Sequence, residues 1–566
     1  MEPCPDHAPA WAPVLVAAAA FLAFMPALGN GWVNWDDGVF LLDNPAFRGF
    51  GPGHLRWMFT STLNGPYQPL PWLTYAADFS LWGLAPAGYH LTSLLFHAAN
   101  ATLAFFLARK VLGLCRPPDS PRARAALDLA AAFAALAFAL HPLRVESVAW
   151  ASERRDVVCG AFALGALLAY LRAREQGRAS ALAVALFAAA LLSKATAVFL
   201  PVVLLVMDVY PLRRLAGDPR TWARPAARRV WLEKAPYLLL ALAMGLVAVW
   251  AQAESHSLQR ISQHGLAARL GQAAYGACFY VAKTLFPFGL SPHYALTTGL
   301  GARDPAPWLA AAGVVLSSVL AWRLRRQSPA LLAVWLVYLA ALAPVLGLLQ
   351  AGTQLVADRY SYLAVLGWGM LAAAWLRPRL ESSLRAGALL AVAALLVFWG
   401  ALTWRQTLVW RNSATLWEHA LGLDPRDAVA NLNMGLALAD AGRTDLAVEH
   451  FSRALAAEPA CVAAEDELLR AAAAGEPAAD AARLNAVMEA NPVCRKARGN
   501  LVTARAALGD LDGAIAYFQG VLRLQPQDRA ARVNLERALR LREAGRGRPA
   551  RTGRAGARPP ASGSAR

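Results

Sequence analysis

The sequence predicts an all-α protein in which a polytopic bundle of about eleven membrane-spanning helices is followed by an α-solenoid of short helical repeats. Three observations support this fold class. Of the 566 residues, 57% are hydrophobic and only 16% are charged, whereas soluble domains carry about 25% charged residues. Apolar runs long enough to cross a bilayer recur over residues 1–404. Beyond them the chain becomes polar and alanine-rich, with prolines at a fixed period.

Each predicted span is an apolar run close to the roughly 20 residues that a helix needs to cross the hydrocarbon core. The first run is a retained helix, because no Lys or Arg precedes it and no small-residue cleavage site follows it. A further stretch, 268–288, is interrupted and amphipathic, so we expect it to lie in the interface. The eleven runs are 11–29, 89–108, 126–141, 157–171, 179–193, 195–210, 235–252, 306–322, 329–349, 360–376 and 386–404.

The formal charge of +18 indicates membrane orientation more than nucleic-acid binding, because Lys and Arg concentrate in the cytoplasmic connections of membrane proteins. With the N-terminus inside, the predicted cytoplasmic connections hold 21 Lys and Arg, against 11 in the longer opposite loops. The parity of the spans then places everything after residue 404 outside. The six cysteines form no CxxC pair, so neither a zinc site nor a disulfide scaffold is indicated, and we do not predict a bridge between Cys461 and Cys494.

The repeats are indicated by Pro425, Pro459, Pro492 and Pro526, which lie 34, 33 and 34 residues apart. A period of 34 residues is typical of tetratricopeptide repeats. The outer two repeats have small or aromatic residues where paired helices cross, at Gly435, Gly442, Ala447, Phe451 and Ala454, and at Gly509, Ala514 and Phe518. The middle repeat keeps Gly475 but has Asp480 and Leu484 at the other positions. We therefore predict a membrane domain over 1–404, repeats over 405–541 and a disordered basic tail over 542–566.

The first candidate site is the Asp36-Asp37 pair, which follows the first span in a long outer loop, 30–88. Adjacent carboxylates raise each other's pKa, so one can act as a general base, or the pair can hold a metal. The alternative is a solvated Asp-Asp-Gly turn. The loop is rich in Trp, Tyr and Pro, and aromatic rings suit interfacial helices. We expect it to lie on the membrane and shape a pocket.

Further ionisable residues fall on the same predicted outer face, and charges beside membrane helices are functional candidates by default. The alternatives are helix packing for the histidines, a solvated loop for 141–156 and snorkelling for isolated cations. None of these explains why acidic and cationic groups from several segments share one face. Such a set suits a transferase with a lipid-linked phosphate donor, because cations neutralise the leaving phosphate and a carboxylate deprotonates the acceptor. The residues are His90, His97, His141, Glu146, Arg154, Asp156, Lys194, Asp358 and Arg359.

In this order, these residues resemble the transmembrane and tetratricopeptide-repeat O-mannosyltransferase family, which belongs to the GT-C glycosyltransferases. The likeness covers roughly residues 11–530. The matching segments are Asp36-Asp37, Gly88-Tyr89-His90 to Asn100, His141-Pro142 with Glu146, Arg154 with Asp156, Lys194, Asp358-Arg359-Tyr360 and Trp410-Arg411-Asn412-Ser413.

The resemblance implies a GT-C-like domain that transfers a sugar, typically mannose, from a polyprenyl-phosphate donor to a hydroxyl acceptor, with inversion, on the extracytoplasmic face. The sequence departs from the family at Ala195, where an acidic residue often follows the lysine. The roles implied are catalytic base for Asp36 or Asp37, donor-phosphate contact for Arg154, Lys194 and Arg359, and support for His90, His141, Glu146, Asp156 and Asp358.

The expected partners are the lipid-linked sugar, membrane lipid, and an acceptor protein or peptide on the repeats, with no nucleic acid. The sequence implies no definite cofactor and leaves a divalent cation open. We expect a bacterial inner-membrane protein with periplasmic repeats, although an endoplasmic reticulum location gives the same topology. Two other functions remain open, a non-catalytic scaffold for envelope proteins and a transporter of lipid-linked sugars. Eleven spans exceed what an anchor needs, and the spans lack the internal repeats of many transporters.

Overall fold

The computed structural model describes residues 11–255, 264–296, 305–350, 352–474 and 492–546. Within these residues the secondary structure is helical, and the sole β-type pairing is an isolated bridge between Ala295 and Gln354. The chain divides into two compact units at Asn433 and Met434, beyond the predicted boundary at residue 404. The all-α fold class, with a helical membrane part and a repeat region, is confirmed.

The first unit contains the apolar helices and the connections between them. In chain order its helices are α1 (Trp11–Phe24), α2 (Pro52–Thr60), α3 (Pro69–Trp82), α4 (Pro86–Cys115), α5 (Pro121–Ala139), α6 (Val145–Ala149), α7 (Arg155–Glu175), α8 (Ala181–Ser193), α9 (Leu200–Val209), α10 (Arg228–Glu254), α11 (Leu266–Leu285), α12 (Pro305–Arg323), α13 (Pro329–Leu342), α14 (Leu366–Glu381), α15 (Arg385–Val409) and α16 (Ser413–Leu423). Helix α17 (Ala428–Asp440) crosses the boundary into the second unit.

Six helical stretches among the described residues are long and apolar enough to cross a membrane, so the predicted count of eleven is not confirmed. A seventh candidate is the pair Pro121–Ala139 and Pro142–Ala149, which is bent by 55°. Three shorter apolar helices and α14, which carries charged residues at its end, occupy the other predicted runs. Helix α11, predicted to lie in the interface, is not among the candidates. The six are Trp11–Gly29, Pro86–Cys115, Ala151–Glu175, Arg228–Glu254, Pro305–Arg326 and Arg385–Val409.

Two candidate site residues at the ends of predicted spans lie at interruptions of the helical backbone. His141 caps the short helix Pro142–Arg144, since its ring accepts a hydrogen bond from the Leu143 amide, and the chain bends there. Lys194 adopts an extended conformation between α8 and the 3-10 helix Ala195–Phe199. These interruptions place polar side chains and irregular backbone at helix ends, where a continuous helix would present only its sides.

The first outer loop contains two short helices, α2 and α3, and their position in the membrane interface stays a prediction. Their shared core is aromatic: Trp72 is fully buried, and its ring lies 5.6 Å from that of Phe40 and 5.0 Å from that of Trp57. Phe47 and Tyr75 complete this cluster. Buried aromatic rings contribute large apolar areas and ordered edge contacts, so the loop has its own core and can hold a site in fixed geometry.

The second unit continues α17 with α18 (Thr444–Ala456), α19 (Pro459–Ala474), α20 (Pro492–Ala507), α21 (Leu511–Leu524) and α22 (Arg529–Arg546). The predicted crossing residues pack as the repeat requires. A Cβ on Gly435 would lie 2.5 Å from the Phe451 ring, and Phe451 and Phe518 are buried. Gly475, Asp480 and Leu484 lie outside the described residues.

A disulfide joins Cys461 in α19 to Cys494 in α20, with the Cα atoms 6.4 Å apart. The expectation of no bridge is therefore wrong. The two cysteines lie 33 residues apart, which is the spacing of Pro459 and Pro492, so they occupy equivalent positions of adjacent repeats. Helix α22 also extends to Arg546, five residues into the predicted disordered tail, and the remainder of that tail lies outside the described residues.

Candidate functional site

The Asp36-Asp37 turn is held from within by Asp37. This carboxylate is 1% exposed, and it accepts hydrogen bonds from the Val33 amide at 3.0 Å and the Ser152 amide at 3.1 Å. Burial raises the pKa of Asp37 from 3.8 to about 6, since the loss of solvation outweighs these two hydrogen bonds. Asp37 therefore fastens the first outer loop to the start of the Ala151–Glu175 span.

Asp36, by contrast, is only half-buried. The side-chain amide of Asn64 lies 3.4 Å from its Oδ1, and Asn64 immediately precedes Gly65. The two neighbouring carboxylates thus differ in environment: Asp37 is buried and Asp36 is partly exposed.

The residues just before the aspartates are anchored to the segment after the last apolar helix. The Gly31 amide donates to the Arg411 carbonyl at 2.8 Å. Asn34 receives a hydrogen bond from the Trp417 indole at 2.6 Å, and its own backbone amide donates to the Ser413 hydroxyl at 2.9 Å. The sequence separation of nearly 400 residues made this contact invisible to local patterns.

Glu153 is the centre of the cation cluster, although it was not among the predicted site residues. Its buried carboxylate lies 2.6 Å from Nζ of Lys194 and 2.5 Å from a terminal nitrogen of Arg155, while Nε of Arg359 is 3.9 Å away. One carboxylate thus gathers cations from three separate segments. Charge-assisted pairs of this kind are strong and geometrically specific.

Two further predicted residues, Asp156 and Glu146, complete the cluster. Lys194 also contacts Oδ1 of Asp156 at 2.7 Å, and Arg359 forms an ion pair with Glu146. Glu146 also accepts the Arg359 backbone amide at 2.8 Å. The structure therefore brings together Glu146, Asp156, Lys194 and Arg359, as their position on one predicted face suggested.

A pocket with about 620 Å³ of empty volume, which includes open space at its mouth, lies beside this cluster. Its lining includes the three cations Lys194, Arg155 and Arg359, together with Gly65 and Gln68 from the first outer loop. Gln68 is 1% exposed, and neither of its amide atoms has a hydrogen-bond partner in the described structure. A buried polar group without a partner is costly, so Gln68 marks a place where a polar ligand would fit.

Arg154 lies apart from this pocket. Its guanidinium is fully buried, pairs with Asp78 at 2.5 Å and donates to the Tyr89 carbonyl at 2.7 Å. The group also stacks over the Tyr75 ring at 4.5 Å. The predicted phosphate contact is thus engaged within the protein, and the neighbouring Arg155 is the arginine that lines the pocket.

The predicted histidines are buried in this structure. His97 contacts the Tyr362 hydroxyl at 2.9 Å and the Ala139 carbonyl at 3.1 Å. His141 contacts the Thr284 carbonyl at 3.0 Å, whereas neither ring nitrogen of His90 has a hydrogen-bond partner in the described structure. For His90 and His97, packing was the alternative weighed in the sequence.

Asp358 is buried and accepts a hydrogen bond from the Tyr294 hydroxyl at 2.9 Å. Burial, reinforced by Glu146, raises its pKa well above the ordinary value. Asp358 does not line the pocket. Its contact with Tyr294 holds the segment that also carries Arg359.

An apolar cavity with about 1040 Å³ of empty volume, which includes open space at its mouth, lies among α4, α7, α9, α13 and α14. Phe199 and Leu363 line this cavity, and they also line a small pocket that contains Lys194. From there the apolar lining continues to Ala374 on α14 and Cys115 on α4. The stretch from Leu366 to Ala374 alone rises about 12 Å along its helix. The long apolar cavity and the small pocket that contains Lys194 share the lining residues Phe199 and Leu363. The cavity therefore approaches the cation cluster.

The missed residues had weak sequence signals. Glu153 and Arg155 lie in the charged run Glu153-Arg154-Arg155-Asp156, where the pattern does not indicate which arginine lines the pocket. Gln68 carries no charge and belongs to no motif. Among the described residues, no group of three or more His, Cys, Asp and Glu side chains is placed to share a metal ion, and the divalent cation stays an untested expectation.

Comparison with known proteins matched a repeat family and several relatives. The family described as Tetratricopeptide repeat matches residues 496–528, which form the last predicted repeat. Protein O-mannosyl-transferase TMTC4 of Homo sapiens is 28% identical over 183 residues, covering 31% of this chain and 25% of its own length. No solved structure matches the chain significantly.

Two invertebrate proteins give a similar result. Protein O-mannosyl-transferase Tmtc1 of Drosophila melanogaster is 32% identical over 193 residues, covering 32% of this chain and 21% of its own length. Protein O-mannosyl-transferase F38B6.6 of Caenorhabditis elegans is 21% identical over 476 residues, covering 79% of this chain and 62% of its own. The matches thus span a quarter or less of the human and fly relatives. The resemblance is confirmed: this is a helical membrane protein with tetratricopeptide repeats that is similar to the protein O-mannosyl-transferases of the TMTC family.

Proposed function

We propose that the chain is an integral-membrane glycosyltransferase that moves mannose from a polyprenyl-phosphate donor to a serine or threonine hydroxyl of a protein. The observation that carries this proposal is the pocket lined by Lys194, Arg155 and Arg359, together with the apolar cavity that approaches the same lysine. A polyprenyl phosphate has both parts, a long apolar tail and a charged head. The names of the relatives support the sugar and the acceptor class.

In this proposal the donor phosphate binds at the pocket cations. Two of the three N–H groups of Lys194 point to Glu153 and Asp156, which leaves the third for a phosphate oxygen. Arg155 uses its Nε and one terminal nitrogen on Glu153, and its second terminal nitrogen serves the phosphate. We assign Arg155 this role in place of Arg154, because the Arg154 guanidinium is occupied inside the protein.

The sugar lies next to Gln68, whose amide donates to one hydroxyl and accepts from another. Asp36 is the catalytic base, because it is the less buried of the two aspartates and its neighbour Asn64 precedes the pocket residue Gly65. Asp37 is a positioning residue that holds the turn against Ser152. This division of roles refines the expectation, which named both aspartates.

The transfer step follows from these positions. The acceptor hydroxyl attacks C1 of the sugar and gives its proton to Asp36, while the bond from C1 to the phosphate oxygen breaks. The polyprenyl phosphate leaves with the electron pair and is stabilised by the cations. Attack opposite to the leaving group inverts the configuration at C1. No step requires the divalent cation.

We place the site and the repeats on the extracytoplasmic face, where the repeats bind acceptor proteins. The charge bias of the loops supports this orientation, and the Cys461–Cys494 disulfide supports an oxidising compartment for the repeats. In a bacterium, that compartment is the periplasm.

The test uses the purified full chain in lipid nanodiscs, with polyprenyl-phosphate-linked mannose and a set of Ser/Thr peptides. Asp36→Asn should lower kcat by about 10²- to 10⁴-fold, the usual contribution of a general base, with an unchanged unfolding temperature. Asp43→Asn, on the same loop, is the matched control and should keep its activity. Full activity of Asp36→Asn would sink the assignment of the base, and no transfer by the wild-type chain would sink the function.

A further inference from the structure

We propose a second binding site, at the opposite ends of the helices from the cation cluster, that holds an anionic phospholipid. Helix α7 begins at Arg155 beside the cluster, and 20 residues later it reaches Glu175, about 30 Å away along the helix axis. There, a pocket with about 970 Å³ of empty volume opens between the end of α7, the start of α8 and the start of α10. No role proposed above uses this pocket.

The wall of the pocket rests on a buried ionic network with excess positive charge. Asp208 and Lys234 are both fully buried and pair at 2.5 Å, and Arg214 contacts Asp208 at 2.9 Å. The Glu233 carboxylate forms ion pairs with Arg214 at 2.5 Å and with Arg174 at 2.6 Å.

Arg229 approaches the same Glu233 carboxylate at 3.5 Å. Four cations (Arg174, Arg214, Arg229 and Lys234) therefore share two carboxylates, Asp208 and Glu233, so four positive charges stand against two negative charges. An excess of positive charge at a membrane boundary attracts anions.

Two features direct that charge into the pocket. The side chain of Arg174 is 5% exposed and lines the pocket, and its Nε has no hydrogen-bond partner in the described structure. Ser180 caps α8 by accepting from the Ala183 amide, so the positive end of this 13-residue helix also borders the pocket. Arg229 lines the rim, with its side chain 75% exposed. The one acidic lining residue, Glu233, is already engaged by arginines.

The rest of the lining favours a lipid over a free anion. Leu232, Val184 and Pro236 line the pocket beside the arginines. Along α10 the exposed leucines continue, since Leu239 and Leu242 are 66% and 63% exposed. A phosphodiester at Arg174 and Arg229 would lay its acyl chains on this apolar strip. Basic pockets between membrane helices are typical sites for anionic headgroups.

The experiment counts lipids bound to the delipidated full chain by native mass spectrometry, with phosphatidylglycerol or phosphatidylcholine as the probe. We expect the wild-type chain to retain phosphatidylglycerol in preference to phosphatidylcholine. Arg229→Gln should weaken phosphatidylglycerol binding by about tenfold, the scale of one charged hydrogen bond. Because Arg229 is mostly exposed, this variant should fold normally.

The matched control is Arg220→Gln, which removes the same charge from the same connection but does not line the pocket. Equal phosphatidylglycerol loss from both variants would reduce the effect to general surface charge and overturn the proposal. Displacement of phosphatidylglycerol by inorganic phosphate at equal concentration would also overturn it, because the site would then take a free anion. The readout is independent of sugar transfer, so it can fail while the proposed function stands.

Discussion

The ammonium nitrogen of Lys194 lies 2.6 Å from Oε1 of Glu153, and the second oxygen of that carboxylate pairs with Arg155 at 2.5 Å. Glu153 is fully buried, so it fixes the spacing of two pocket cations from beneath the pocket. A carboxylate that never reaches the substrate can thereby set the geometry of the groups that do.

Replacing this carboxylate should damage the whole cluster. Glu153→Gln leaves Lys194, Arg155 and Arg359 with one fewer negative charge in a buried setting, and breaking a buried pair costs about 3–5 kcal/mol. Thermal unfolding of the full chain in detergent measures this loss. The comparison variant is Glu449→Gln, which removes half of a surface pair with Arg453, both side chains being about half exposed. Surface pairs contribute about 0–1 kcal/mol. Equal effects of the two variants would contradict the role of Glu153.

Substitutions of the adjacent Arg154 and Arg155 should differ in their effects, one lowering mainly stability and the other mainly donor binding. Arg155→Gln removes a side chain that lines the pocket, so the KM for the donor should rise about tenfold. The unfolding temperature should fall less than in Arg154→Gln, because Glu153 keeps Lys194 as a partner. Arg154→Gln leaves Asp78 without its buried partner, so stability should fall while the KM of the folded fraction stays near that of the wild-type chain. Donor titrations and thermal unfolding of both variants decide the matter. The reverse pattern would return the phosphate contact to Arg154.

The buried carboxyl of Asp37 should leave a signature in the pH dependence of stability. Its pKa is about 6 in the folded chain against 3.8 ordinarily, so its favourable contribution is complete below about pH 3.8. The contribution is lost as the pH rises through about 6, a change of about 3 kcal/mol. Unfolding measured from pH 4 to pH 8 should show that wild type loses stability relative to Asp37→Asn across this window. A flat difference between the two proteins would show that Asp37 titrates normally.

The disulfide between repeats should stabilise the second unit. Changing Cys461 and Cys494 to Ser together should cost about 2–4 kcal/mol, the usual contribution of one bridge, and should speed proteolysis of the second unit. Cys278→Ser is the control, because Cys278 is a half-buried free thiol in the first unit. A reducing agent, which opens the disulfide, should accelerate proteolysis of the wild-type chain and leave the proteolysis rate of the double variant unchanged. Identical digestion of oxidised and reduced wild type would count against a structural role for the bridge.

The repeats were the most predictable part, because their proline period and their small and aromatic positions are local patterns. Gly435 and Phe451 meet where the pattern requires it. The number of spans was less accessible, since hydropathy does not show where a run is interrupted. The predicted runs beside Lys194 and His141 correspond to helices that are short or bent, which the hydropathy of these runs does not reveal.

The site was predicted in part. Charge and position on one membrane face identified Glu146, Asp156, Lys194 and Arg359, which the structure brings together. The same criteria could not distinguish Arg154 from Arg155, because adjacent residues at a helix start point in different directions. Nor could they detect Gln68, since only the structure shows that its amide is buried without a partner.

The anchoring of Gly31 and Asn34 to residues 411–417 bears on how the protein can be shortened. A fragment cut at the end of the last apolar helix, at Val409, would retain every cation of the pocket. It would nevertheless lose Arg411, Ser413 and Trp417, which hold the chain just before the Asp36-Asp37 turn. The smallest active fragment should therefore extend to about residue 433, where the first compact unit ends, even if the repeats are removed.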